Sequence, residues 1–133
     1  MTRTSAQYLF KGNVIACMED VTGGYAWTDE GRVSIISEVT FTVIYKNLRF
    51  GIEAHWVEDD HDMYSISIFD QSAEPNKYRR EDSNEICHCF LDSTGGGTCD
   101  ETISTGYEVV DNAICSILFG NKELGIEPYI KPF

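Results

Sequence analysis

The chain has 133 residues, the length of one ordinary domain, and its 22 acidic against 10 basic side chains leave a net charge of −12. That balance excludes nucleic acid and anionic membrane surfaces as partners, because both are held through clustered Lys and Arg. A core can form from the 42% of residues that are hydrophobic, and the partner that such a charged surface attracts is a basic protein.

From the N-terminus, Met1 to Gln7 is polar, and no apolar run approaches the roughly 18 residues that a membrane span needs. This predicts a soluble, cytoplasmic product. Five cysteines, at 17, 87, 89, 99 and 115, fit a reducing compartment, being odd in number and not spaced as a secreted disulfide framework. Tyr8-Leu9-Phe10 and Val14-Ile15-Ala16-Cys17 read either as two strands around Lys11-Gly12-Asn13 or as one amphipathic helix with Gly12 inside it. A glycine within a helix costs about 1 kcal/mol relative to alanine, which tips the reading to strands. Gly23-Gly24 and Asp29-Glu30-Gly31 read as turns on either side of Tyr25-Ala26-Trp27.

The middle of the chain alternates with the period of two that marks half-buried strands. In Val39 to Tyr45 the odd positions are Val, Phe, Val and Tyr, and a Lys46-Asn47-Leu48 link joins this run to Arg49 to Val57, where Phe50, Ile52, Ala54 and Trp56 alternate with polar residues or glycine. Tyr64 to Phe69 follows the acidic turn Glu58-Asp59-Asp60-His61-Asp62, and Ile86 to Leu91 is a fourth strand after a polar loop, Asp70 to Glu85, that contains Pro75. Gly95-Gly96-Gly97 lies in a flexible connection, Asp92 to Asp100, that leads into a helix from about Thr105 to Phe119. There Val109, Val110, Ala113, Ile114, Ile117 and Leu118 form one apolar stripe, and Gly120 is its stop. Beyond it, Lys122 to Phe133 is expected as an extended tail anchored by Ile126, Tyr129, Ile130 and Phe133. The expected fold is a single α+β domain over residues 1–133, a mainly antiparallel β-sheet meander with one C-terminal amphipathic helix packed on it.

Chemistry is sparse. Cys87-His88-Cys89 with Cys99 offers soft ligands, but on a strand the two cysteines share one face and His88 takes the other, so they do not converge on one ion. His55 stands on the polar face of a strand and His61 in an acidic turn, so no histidine is paired in sequence with a nucleophile. The Gly95 to Gly97 stretch lacks the Lys-Ser/Thr that follows a phosphate loop. The Glu58 to Asp62 turn lacks the glycine of a calcium loop. No cofactor, no metal and no enzymatic activity are therefore expected.

What stands out is the distribution of acid: residues 81–133 hold ten acids and two bases. The candidate partner-binding residues are Glu58, Asp59, Asp60 and Asp62 in the turn, and Asp100, Glu101, Glu108 and Asp111 around the helix start, with Tyr64, Trp56 and Tyr78 as candidate aromatic anchors, the first two having a core position as their alternative reading. Part of that acidity suits the helix itself, since negative charge is favourable in a first turn. In size, acidity and element pattern the chain resembles the bacterial immunity proteins that neutralise toxins of contact-dependent growth inhibition and related polymorphic toxin systems. The resemblance implies a cognate toxin domain as partner, a basic nuclease being the kind an acidic inhibitor suits. The rival expectations are a phage-encoded anti-defence protein and a small cysteine-dependent enzyme built on Cys87, Cys89 or Cys99.

Overall fold

The computed structural model describes residues 2–3, 6–57, 63–72, 84–92 and 102–130. Among the described residues seven strands form one antiparallel sheet: β1 (Thr2–Arg3), β2 (Gln7–Phe10), β3 (Val14–Thr28), β4 (Gly31–Tyr45), β5 (Leu48–Trp56), β6 (Met63–Asp70) and β7 (Asn84–Asp92). From β3 to β7 each strand pairs with the next, which is the expected meander, while β1 and β2 share the outer edge of β3. The N-terminal ambiguity resolves to strands. Between β2 and β3 a single tight turn holds Gly12 and Asn13 at positive φ, a conformation that a continuous helix does not contain.

One face of the sheet is apolar because strand alternation puts Val14, Ala16, Val39, Phe41, Val43, Ile52, Ala54, Tyr64, Ile66 and Ile68 on it. Helix α1 (Glu108–Phe119) covers that face with Val110, Ala113, Ile114, Ile117 and Leu118, spaced three and four apart as the sequence pattern requires. The helix starts three residues later than expected. Thr105 is instead part of its entry: the Asp111 carboxylate accepts hydrogen bonds from the Thr105 N–H at 2.7 Å and from its hydroxyl at 2.6 Å. Gly120 ends the helix as predicted, its N–H donating to the Ser116 carbonyl.

Two readings are corrected. Gly23-Gly24 is no turn but lies within β3, where the register shifts between Thr22 and Gly23; glycine in a strand tolerates such a bulge. The tail is not simply extended either. Asn121 and Ile126 pair through two backbone hydrogen bonds around a turn, with Gly125 at φ +69, and the Ile130 N–H then donates to the Leu118 carbonyl. The expected anchors Ile126 and Ile130 are buried and Tyr129 is half-buried, whereas Phe133 lies outside the described residues.

Candidate interaction surface

The hairpin of β3 and β4 is much longer than the strands beside it. Beyond Val21 no described strand pairs on the outer side of β3, and β5 joins β4 only from Glu38 onward. Thr22–Thr28 and Gly31–Ser37 therefore make a two-stranded ribbon that extends past the sheet. Two register shifts, at Met18/Asp20 and Thr22/Gly23, lie where it leaves the sheet; bulges of this kind bend a strand and increase its twist. Its base is tied down by the Tyr64 hydroxyl, which donates to the Ile36 carbonyl at 3.1 Å, and by Ser37 Oγ donating to the Thr22 carbonyl at 2.9 Å.

Register puts Trp27 opposite Arg32 and Tyr25 opposite Ser34, so these four side chains share one ribbon face. Trp27 is 74% exposed and Tyr25 61%. The Arg32 guanidinium lies 4.4 Å from the centre of the Tyr25 ring, a cation–π contact that sets the ring and the charge side by side. Trp, Tyr and Arg are the side chains that most often dominate protein interfaces. At the tip stand Asp29 and Glu30, both exposed.

Of the sequence-predicted partner-binding residues, Glu108 and Asp111 are described. Glu58, Asp59, Asp60 and Asp62, and likewise Asp100 and Glu101, lie outside the described residues, as does Tyr78. The residues that bracket the acidic turn are described, however: Val57 N–H donates to the Met63 carbonyl at 3.0 Å, and His55 pairs with Glu38 in register. The adjoining ends of β5 and β6 thus lie at the end of the sheet from which the ribbon projects. Glu108 and Asp111 belong to the opposite end, where Tyr107, one residue before the helix, packs on Tyr45 at 5.6 Å beside the β4–β5 turn. Asp111 is also engaged by Thr105. Of the expected anchors, Tyr64 is a core residue with 1% exposure and Trp56 packs against the core. Among the described aromatic side chains the most exposed are Trp27 and Tyr25.

The side of the sheet away from the helix carries a polar row. His55 Nδ1 is 3.0 Å from Glu38 Oε2, and His88 Nε2 is 2.7 Å from Ser65 Oγ with Nδ1 3.6 Å from Glu85 Oε1. Glu85 reaches the His88 side because the register shift at Ile68/Phe69 leaves Ile86 as an extra residue in β7. With His88 44% and Glu85 41% exposed, water competes for every bond in this row, which makes it a surface network rather than an enclosed nucleophile.

On the helix side, Cys87 and Cys89 share a face as expected, and His88 points away. Among the described residues no group of three or more His, Cys, Asp or Glu is gathered to hold a metal ion, and no helix is long and apolar enough to cross a membrane. No family model matches the chain, and no curated protein or solved structure matches it either.

Proposed function

We propose that the chain is a binding protein that neutralises a basic protein domain, as the immunity proteins of toxin systems do. The observation that carries this reading is the ribbon: an exposed Trp27, Tyr25 and Arg32 held in order, with Asp29 and Glu30 at its tip, on a chain of net charge −12. Acidic charge raises the rate at which a basic partner is met, and desolvated aromatic anchors then slow its departure. The Glu58 to Asp62 connection, which leaves the sheet at the same end, adds four carboxylates to that encounter.

The test is capture of the native partner by the tagged chain at about 0.1 M salt. The expected result is a basic protein that is harmful when made alone, harmless when made with this chain, and released as salt approaches 1 M, where the Debye length falls from about 10 Å to about 3 Å. Joint Trp27→Ala and Tyr25→Ala substitution should weaken capture at least roughly 30-fold, the equivalent of one interface hot spot of about 2 kcal/mol. A partner that is not basic, or that is harmless alone, overturns the reading, as does full protection by the double variant.

A further inference from the structure

The outer edge of the ribbon presents backbone groups that the fold leaves open. Around the two-residue connection Asp29-Glu30 the closing pair, Thr28 and Gly31, is a hydrogen-bonded one. Alternation along the ladder then points the N–H and C=O groups of Thr28, Ala26 and Gly24 toward β4, and those of Trp27, Tyr25 and Gly23 away from it. The same alternation turns the Ile36 carbonyl outward on the β4 side, and there the Tyr64 hydroxyl takes it. Among the described residues no strand takes the outward groups of Gly23, Tyr25 and Trp27, because β1 reaches only to Thr2 opposite Val21. Exposed edges are commonly blunted by charge or proline, yet Thr22 to Thr28 contains neither.

We propose that this edge pairs, antiparallel and with two-fold symmetry, with the same edge of a second copy of the chain. Charge favours that occupant at this place: each chain carries −12, but Thr22 to Ser37 holds only Asp29 and Glu30 against Arg32, so two copies repel little here. The outward groups are also self-complementary. A two-fold axis at Ala26 sets Tyr25 opposite the second copy's Trp27 and Trp27 opposite its Tyr25, each pair exchanging both backbone hydrogen bonds, with the two ring pairs on one face. β1 fixes the register. An axis at Tyr25 would drive the second copy's Asp29-Glu30 turn onto Thr2, whereas an axis at Ala26 leaves that turn beside Gly23, which has no side chain to meet it. The product is one four-stranded ribbon, β4–β3 joined to β3–β4, with both copies' Tyr25 and Trp27 on the same face. Four backbone bonds and two ring pairs make a small contact, of the size class that associates weakly.

Sedimentation of the intact chain from about 10 μM to about 1 mM should show the mass rising from 15.0 kDa toward that of a dimer. The rise should be larger at high salt, where screening removes the repulsion between two chains of −12; capture of a basic partner has the opposite salt dependence. Amide exchange at Tyr25 and Trp27 should slow roughly tenfold once nine-tenths of the chains are paired, while Gly24 and Ala26, already bonded to β4, change little. Ala26→Cys puts two thiols across the axis, at a site where the Cα atoms of a strand pair stand about 4.5 Å apart, so mild oxidation should link two chains through residue 26. Gly24→Cys, two residues off the axis, should give no link through residue 24. Tyr25→Lys places a charge in the pairing and should abolish both the mass increase and the protection, and Tyr25→Phe should keep both.

A mass that stays at 15.0 kDa throughout overturns the proposal, and a strand of some other protein on this edge would show itself in that way. A dimer in which the Tyr25 and Trp27 amides exchange at the monomer rate, or which links through residue 24 and not 26, overturns it too. Every measurement is made on the chain alone, so these outcomes leave the test of partner binding as it stands, and a partner that is not basic leaves the edge pairing as it stands.

Discussion

Replacing Gly120 by alanine tests whether the last ten described residues are folded back against the helix. Gly120 sits at φ +89, ψ +162, a region essentially reserved for glycine, where a side chain costs about 1–3 kcal/mol. A Cβ built there would come within 2.9 Å of Pro128 Cδ, 3.0 Å of Pro128 N and 3.2 Å of the Ile126 carbonyl. The first of these atoms belongs to a rigid ring and the others to backbone, so none can swing away, and displacement adds about 1 kcal/mol or more. A loss of roughly 2–4 kcal/mol follows, which in a chain of this length lowers the melting temperature by about 10 °C. Gly125→Ala is the matched control: φ is also positive, at +69, but nothing lies within 4 Å. There the strain of about 1 kcal/mol is partly offset by the reduced entropy of the unfolded chain. Urea and thermal unfolding of both variants measure the difference. If Gly120→Ala is as mild as Gly125→Ala, the segment from Asn121 to Ile130 does not pack where it is described.

Ile117→Ala removes a fully buried side chain between helix and sheet and should cost about 2–5 kcal/mol in urea unfolding, whereas Leu124→Ala, at a side chain 52% exposed, should stay within about 0.5 kcal/mol. The Tyr129 phenol, pushed up to about 12 by burial and by its 3.2 Å contact with the Tyr8 hydroxyl, gives a second, alkaline prediction. The native state holds this proton more tightly than the unfolded chain, so its contribution is complete below about pH 10 and is lost as pH rises toward 12. Stability measured from pH 9 to 11.5 should fall less steeply in Tyr129→Phe than in the wild-type chain; parallel curves would show that the two hydroxyls are not coupled.

The helix and the central strands are legible in the sequence because each buries a single face, and burial on one face writes its period directly into the order of residues. The same parity that puts Phe50, Ile52 and Ala54 into the core also claims Trp56, and Tyr64 shares its parity with Ile66 and Ile68; read strictly, neither was free to be an anchor. The ribbon was hidden by Gly23-Gly24, which has the chemistry of a turn but serves as a bulge, and the length of β3 follows only from its pairing with β4. With that pairing, Asp29-Glu30 is a two-residue connection between two runs, a hairpin signal that was present in the sequence.

Distance decides which acids can act together. β4 runs 15 residues from the ribbon tip to the β4–β5 turn, roughly 50 Å at about 3.3 Å per residue and somewhat less after its bulges. That is several Debye lengths at ordinary salt. Glu108 and Asp111, packed near the far turn, therefore cannot share one standard interface with a partner held at the ribbon, and exposed Lys11, Lys46 and Arg49 stand at that far end beside them. The charge of −12 is consequently not one uniform patch. At the ribbon tip the described acids are Asp29 and Glu30, with Arg32 as a counter-charge already committed to the Tyr25 ring.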